Sequence, residues 1–105
     1  MNIKFVIAIL LLTSSSLSQA YCSQTRNELE GLLGLDSTDG TIYTTVTKSN
    51  NECSCGDARF SPTFTPHTQE ALSILLSAKL AGKTVRIDFE DPANCRSAAR
   101  VYLED

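Results

Sequence analysis

The chain has 105 residues, nine Lys/Arg against twelve Asp/Glu and a formal net charge of −3, enough for one small domain. Its basic residues are scattered among acids and form no stripe of the kind a phosphate backbone needs, which excludes nucleic acid as an expected partner. With one histidine, no Cys-x-x-Cys and no phosphate-loop glycine pattern, the sequence holds no triad, histidine metal cluster or nucleotide cradle.

The chain opens with Met1-Asn2-Ile3-Lys4, continues with an apolar run over residues 5–12, and turns small and polar toward Ala20. One positive charge, a short apolar core, and Ser18 and Ala20 flanking Gln19 have the form of a secretory signal, with cleavage expected after Ala20. The apolar run is far shorter than the roughly 20 residues that a bilayer span takes, and no other segment of the sequence reaches that length. The expected organisation is a signal over residues 1–20 and a single domain over residues 21–105, located in a secreted or periplasmic setting.

Removing Lys4 leaves eight Lys/Arg against twelve Asp/Glu, so the net charge moves from −3 to −4. All four cysteines (Cys22, Cys53, Cys55 and Cys95) fall in the domain. An exported domain this small gains most from disulfides, and its compartment permits them. Three pairings are possible in principle. A Cys53–Cys55 bond would close a tiny strained ring, so each of these two is expected to pair with Cys22 or Cys95. A loop of about 40 residues, as Cys55–Cys95 would close, contributes roughly 4 kcal/mol by restricting the unfolded chain. A zinc site is the weaker reading, because structural zinc sites bring ligands in two close pairs and only one such pair exists here.

In chain order, residues 23–28 suggest a helical turn. Residues 29–36 fit two patterns, with Leu29, Leu32 and Leu33 at helical spacing and Leu29, Gly31, Leu33 and Leu35 alternating. Gly31 and Gly34 weaken a helix and Asp39-Gly40 signals a turn, so this segment is assigned as the first strand. Residues 41–47 form the second, with Ile42 and Val46 on one face and Tyr43 and Thr45 on the other. A polar loop over residues 48–57 carries Cys53, Cys55 and Gly56, and a shorter strand over residues 58–64 contains Phe60 and Phe64, with Pro62 arguing for an edge.

A helix follows, with Thr65 as its cap, Pro66 at its first position and Gly82 at its end. Its apolar band, including Ala71, Leu72, Leu75, Leu76 and Leu80, covers most of the circumference, and only Gln69, Ser73 and Ser77 are polar in its middle. Such a helix expects cover on more than one side, from a barrel wrapping round it or from another subunit. Leu72, Leu76, Ser73 and Ser77 are the candidate oligomer-interface positions. Residues 83–90 alternate, with Val85, Ile87 and Phe89 inward and Thr84, Arg86, Asp88 and Glu90 outward. Asp91-Pro92 starts a turn, Cys95 follows, and residues 99–103 make the last strand.

Three strands, a helix and two strands is the element order of the OB fold. The expected class is α+β, mainly β: a small five-stranded OB-type barrel (β-β-β-α-β-β) with one helix, stapled by disulfides. In that topology the start of strand 1, the 2–3 loop and the 4–5 loop share one end, which brings all four cysteines together. The block Ala71-Leu72…Leu75-Leu76…Ala78-Lys79…Gly82-Lys83…Val85-Arg86-Ile87 resembles the binding (B) subunits of bacterial AB5 toxins. Those of the pertussis-like and subtilase-like group show a comparable apolar helix, a Gly followed by Lys or Gln, and a Val-Arg-Ile-type strand. The similarity covers residues 69–90 and the remainder by element order. The resemblance implies a ring-forming subunit, typically a homopentamer, that recognises a cell-surface glycan and accompanies a toxin A subunit. No sugar-binding motif carries over residue by residue, and the chain is shorter than the subtilase-type subunits.

For chemistry, His67 is expected to be exposed in the first turn of the helix, and Asp88, Glu90 and Asp91 to form a solvated acidic patch rather than a glycosidase pair, which needs a cleft between its carboxyls. No catalytic residue, metal ligand or cofactor is expected. For binding, outward Tyr43, Arg86, Arg100 and Tyr102, with Arg59 near by, supply rings and guanidinium groups that stack on sugars or anchor a protein. The sequence therefore points to a secreted, non-catalytic, glycan-recognising module that forms a homo-oligomer. The alternative is a monomeric secreted or periplasmic inhibitor or protein-binding domain presenting the loop over residues 48–57.

Overall fold

A computed structural model describes residues 21–47, 53 and 55–104. The expected signal over residues 1–20 and most of the loop over residues 48–57 lie outside them. Among these described residues six strands and one helix are formed: β1 (Cys22–Asn27), β2 (Leu33–Asp36), β3 (Thr41–Thr45), β4 (Asp57–Phe60), α1 (Thr68–Ala81), β5 (Val85–Phe89) and β6 (Ala98–Leu103). They build two antiparallel three-stranded sheets, ordered β1-β5-β6 and β2-β3-β4. The mainly-β class with one helix is as the sequence implies. Among the described residues, however, the strands make two sheets and no closed barrel. A single bridge between Phe60 and Ser97, and the Arg59 N–H donating to the Cys95 carbonyl at 3.0 Å, join β4 to the start of β6.

The first correction falls at residues 23–28, which lie largely in strand β1 rather than in a helical turn. β1 pairs with β5, setting Cys22 opposite Phe89 and Gln24 opposite Ile87, with an irregularity between Gln24 and Asn27. Arg26 there has φ 57°, and its N–H donates to a Glu104 carboxylate oxygen at 2.9 Å. The inward residues of this strand are polar, so hydrophobic periodicity has nothing to detect. Gln24 and Asn27 are fully buried and their amides are satisfied. Gln24 accepts from the Cys55 N–H at 2.7 Å and donates to the Cys55 carbonyl at 2.8 Å, taking the place of a neighbouring strand. Asn27 Nδ2 donates to the carbonyls of Gln24 and Val85.

The strand assigned to residues 29–36 shortens to β2, which pairs with β3 in the register Leu33↔Thr44 to Asp36↔Thr41. At Gly34 an added Cβ would stand 2.8 Å from the Tyr43 ring, so a larger residue there would have to displace the end of that side chain. β3 alternates as expected, with Ile42 and Thr44 buried. The third expected strand ends at Phe60, because residues 61–65 turn, with the Thr65 N–H donating to the Ser61 carbonyl at 2.8 Å.

Thr65 does not cap the helix. Its hydroxyl donates to the Ala98 carbonyl at 2.8 Å, and α1 starts later, with His67 at the N-cap and no side-chain capping bond. Pro66 accordingly precedes the helix. The C-terminus is as the sequence predicts: Gly82 adopts φ 66° and the Lys83 N–H reaches back to the Ala78 carbonyl at 2.9 Å.

The core gathers Ile42, Phe60, Leu75, Val85, Ile87 and Phe89, all at most 1% exposed. α1 contributes Ala71, Leu75 and Ala78 to it, while Leu76 and Leu80 remain 45% and 80% exposed. The strands therefore cover one face of the helix and do not wrap round it.

All four thiols are consumed in two disulfides, Cys22–Cys53 and Cys55–Cys95, which replaces the zinc reading. Each member of the close pair has a distant partner, as ring strain requires. The bonds tie the start of β1 and the turn before β6 to the segment just before β4.

Candidate functional site

The outward residues singled out in the sequence separate into two groups. Tyr43 and Arg59 are directly opposite each other on β3 and β4, with the guanidinium carbon 5.8 Å from the ring centroid. Asp57 lies 3.6 Å from Arg59 Nε, and both side chains are about half exposed. Beside this pair opens a cleft of about 620 Å³. Its remaining walls come from the β2–β3 turn (Asp36, Asp39 and Thr41), from Ser61 and Phe64 after β4, and from Asn94 and Arg96 before β6.

Local hydrogen bonds fix these walls. Asp36 Oδ1 accepts from the Thr38 hydroxyl at 2.6 Å and from its N–H at 3.0 Å. Those bonds hold the Asp36 carboxyl below the usual aspartate range. Asp39 accepts from the Thr41 N–H at 2.9 Å, and Asn94 Oδ1 from the Arg96 N–H at 3.0 Å. The cleft thus presents carboxylate acceptors on one side, guanidinium and amide groups on the other, and the rings of Tyr43 and Phe64.

The second group lies on the outer face of the other sheet. Arg86 is opposite Tyr102 and Asp88 opposite Arg100 across β5 and β6. The Arg86 guanidinium lies 4.7 Å from the Tyr102 ring centroid, and Arg100 lies 5.6 Å from that of Tyr21. Asp88 joins the two arginines, at 3.0 Å from Arg86 Nε and 3.2 Å from Arg100 Nε, and its side chain is only 2% exposed. The expected solvated acidic patch is corrected here. Alternation does place Asp88 outward, but the arginine side chains and Ser23 cover it. Burial pushes the Asp88 carboxyl up, and the hydrogen bonds from Arg86, Ser23 and Arg100 outweigh it, leaving the group below its ordinary value. Glu90 remains half exposed, 3.3 Å from Arg100 Nη1.

The candidate interface positions on α1 are not alike. Leu72 packs against the core, whereas Ser73, Leu76 and Ser77 are exposed. The Ser73 hydroxyl donates to the Gln69 carbonyl at 3.2 Å. His67 is exposed, with Nδ1 3.6 Å from Glu70. Among the described residues no three His, Cys, Asp or Glu side chains converge as metal ligands, and no helix is long and apolar enough to cross a membrane.

Sequence reasoning missed Asp36, Asp39, Phe64, Asn94 and Arg96 as cleft residues, and Tyr21 and Ser23 as parts of the second group. Outward position on paired strands is the signal that found Tyr43, Arg59, Arg86, Arg100 and Tyr102; the others sit in turns or at the end of a strand, where no periodicity operates. No protein-family model, curated protein or solved structure matches the chain.

Proposed function

We propose that this chain is a secreted, non-catalytic binding module that recognises a glycan in the cleft beside Tyr43 and Arg59. The observation that carries the reading is the cleft itself: open, about 620 Å³, and lined by two rings among carboxylate, amide and guanidinium groups. Its volume lies in the range of small-molecule sites. A sugar ring offers hydroxyls that both donate and accept, and an apolar C–H face. Asp36 and Asp39 accept hydroxyl protons, Arg59, Asn94 and Arg96 donate, and Tyr43 or Phe64 supplies a stacking surface. Asp36, held ionised by its bonds from Thr38, is suited to accept hydrogen bonds from sugar hydroxyls rather than to give a proton.

We read the two sheets as the halves of an OB-type barrel, interrupted between β1 and β2 and meeting at Phe60 and Ser97. That reading, with the exposed Leu76 and Leu80 on α1, supports a B-subunit-like homo-oligomer, a homopentamer by resemblance, with a toxin A subunit as its further partner. Two disulfides fit an oxidising compartment, consistent with export.

A glycan array probed with the unreduced protein tests the ligand. A restricted set of glycans should be retained, and Tyr43→Ala or Asp36→Asn should weaken that retention at least ten-fold with the circular dichroism spectrum unchanged. Retention of no glycan, or retention indifferent to both substitutions, refutes the cleft reading. Native mass spectrometry tests assembly: an oligomer dispersed by Leu76→Glu supports the ring, and a monomer at all concentrations removes it.

A further inference from the structure

The outer face of the β1-β5-β6 sheet carries an arrangement that the cleft does not use. Asp88 is covered and accepts from Ser23 Oγ at 2.7 Å, from Arg86 Nε and Nη2, and from Arg100 Nε. Both of its oxygens are therefore engaged. Arg86 Nη1 and Arg100 Nη2 stand outside these bonds, and both arginine side chains are about two-fifths exposed. Tyr21 and Tyr102, each in contact with one guanidinium, are 51% and 42% exposed. The face thus offers N–H donors and aromatic surface to solvent, while its acceptor, Asp88, lies covered beneath them.

We propose that this face docks a protein partner that presents a carboxylate side chain beside an apolar one. Arg86 and Arg100 take the carboxylate, and the rings of Tyr21 and Tyr102 take the apolar neighbour. Tyrosine and arginine are the residue types that carry binding energy at protein interfaces, and Asp88 has already ordered both arginines in the free protein, which removes much of the usual ordering cost. The fork edges of both guanidinium groups are taken by Asp88, Ser23 and Glu90, so the partner's carboxylate accepts from the remaining nitrogens, Arg86 Nη1 and Arg100 Nη2, in charge-assisted hydrogen bonds. The charges of Arg86 and Arg100 are balanced by Asp88 and Glu90, so the face has no excess positive charge that would favour a dianionic sulfate or phosphate over a singly charged carboxylate.

The test uses the whole disulfide-bonded protein and follows the arginine Nε–H resonances by NMR. The probes are acetyl-Leu-Glu-Phe-amide, its Gln counterpart and sodium sulfate. The Glu peptide should give saturable shifts at Arg86 and Arg100, with the Gln peptide binding at least ten-fold more weakly. Arg100→Lys should weaken the Glu peptide at least ten-fold. Tyr102→Ala, which leaves Asp88 and its partners in place, should weaken it at least three-fold. Equal binding of the Glu and Gln peptides, sulfate saturating at the same concentration as the Glu peptide, or shifts confined to Arg59 in the cleft would each overturn the proposal. Glycan retention is expected to be unchanged in Arg100→Lys and Tyr102→Ala, so this proposal and the cleft reading fail separately.

Discussion

The two sheets have the same number of strands and the same antiparallel pairing, yet they hold their outward side chains in opposite ways. β5 is closed on both faces: Val85, Ile87 and Phe89 lie in the core below, and Asp88 lies under two arginines above. On the other sheet, β2 leaves Leu35 exposed, and the Tyr43–Arg59 pair borders an open cleft with, among the described residues, no buried carboxylate beneath it. A cation–π contact occurs on both. Only where a covered anion anchors the cation does the contact become part of a fixed array. The lesson is that a polar group buried with every bond made can order a surface, while the same residue types without it leave room for a ligand.

Because few bonds join the sheets, breaking those fasteners should have the largest effect. Cys55–Cys95 closes a separation of 40 residues and lies beside the backbone hydrogen bond from Arg59 to Cys95 that links β4 to the approach to β6. Replacing both cysteines with serine should cost about 4 kcal/mol in urea unfolding. The Cys22–Cys53 bond, with a separation of 31, should cost slightly less when removed. A change under about 1 kcal/mol in either case would mean that the sheets are held together by packing instead.

Next in size is Gln24→Ala. It removes a fully buried amide and strands the N–H and carbonyl of Cys55 and the Oδ1 of Asn27. With each unpaired buried group costing about 1–3 kcal/mol, less what the site regains by relaxing, a loss of about 3 kcal/mol is expected in the same unfolding assay. Ser23→Ala, one residue away on the outward face, should cost far less. If the two substitutions cost the same, the clamp on Cys55 contributes nothing special.

This clamp also marks where the sequence stops being legible. β3, β5, β6 and most of α1 follow from alternation, β-branched content and the Gly82 stop, because the positions they turn toward the core are apolar or β-branched. β1 is hidden because its buried positions are amides, whose tolerance for burial depends on partners at Cys55 and Val85, 31 and 58 residues away. The cleft is hidden for the same reason, since Asp36 and Arg96 come together only through the fold. Asp88 was placed on the correct face by alternation. Its burial depends on which side chains lie over it, and strand patterning does not contain that.

Asp88→Asn comes third. It keeps the shape, loses the charge shared by Arg86, Arg100 and Ser23, and should cost about 2 kcal/mol, since hydrogen bonds to charged groups each contribute on the order of 1.5–3 kcal/mol and the arginines can turn to water. The pH dependence has a definite sign. The carboxyl is held below its ordinary value of 3.8, so its contribution is fully present above that value and is lost as the pH falls through the lowered one. Stability measured from pH 5 downward should therefore fall more steeply for the native chain than for Asp88→Asn. Parallel curves would show that the array adds nothing to stability.

The smallest effect should come from Arg59→Gln, the matching change on the open sheet. Arg59 and Asp57 are 3.6 Å apart with both side chains about half in water, and Arg59 lies farther from its tyrosine than Arg86 does, 5.8 Å against 4.7 Å. An ion pair of this kind contributes at most about 1 kcal/mol, and a change within about 0.5 kcal/mol is expected. Its consequence should appear in binding instead, because losing a donor at the cleft wall weakens a polar ligand without touching the core. A loss of stability as large as that of Asp88→Asn would remove the distinction between the sheets, since it would mean that an exposed pair orders its surface as well as a buried one does.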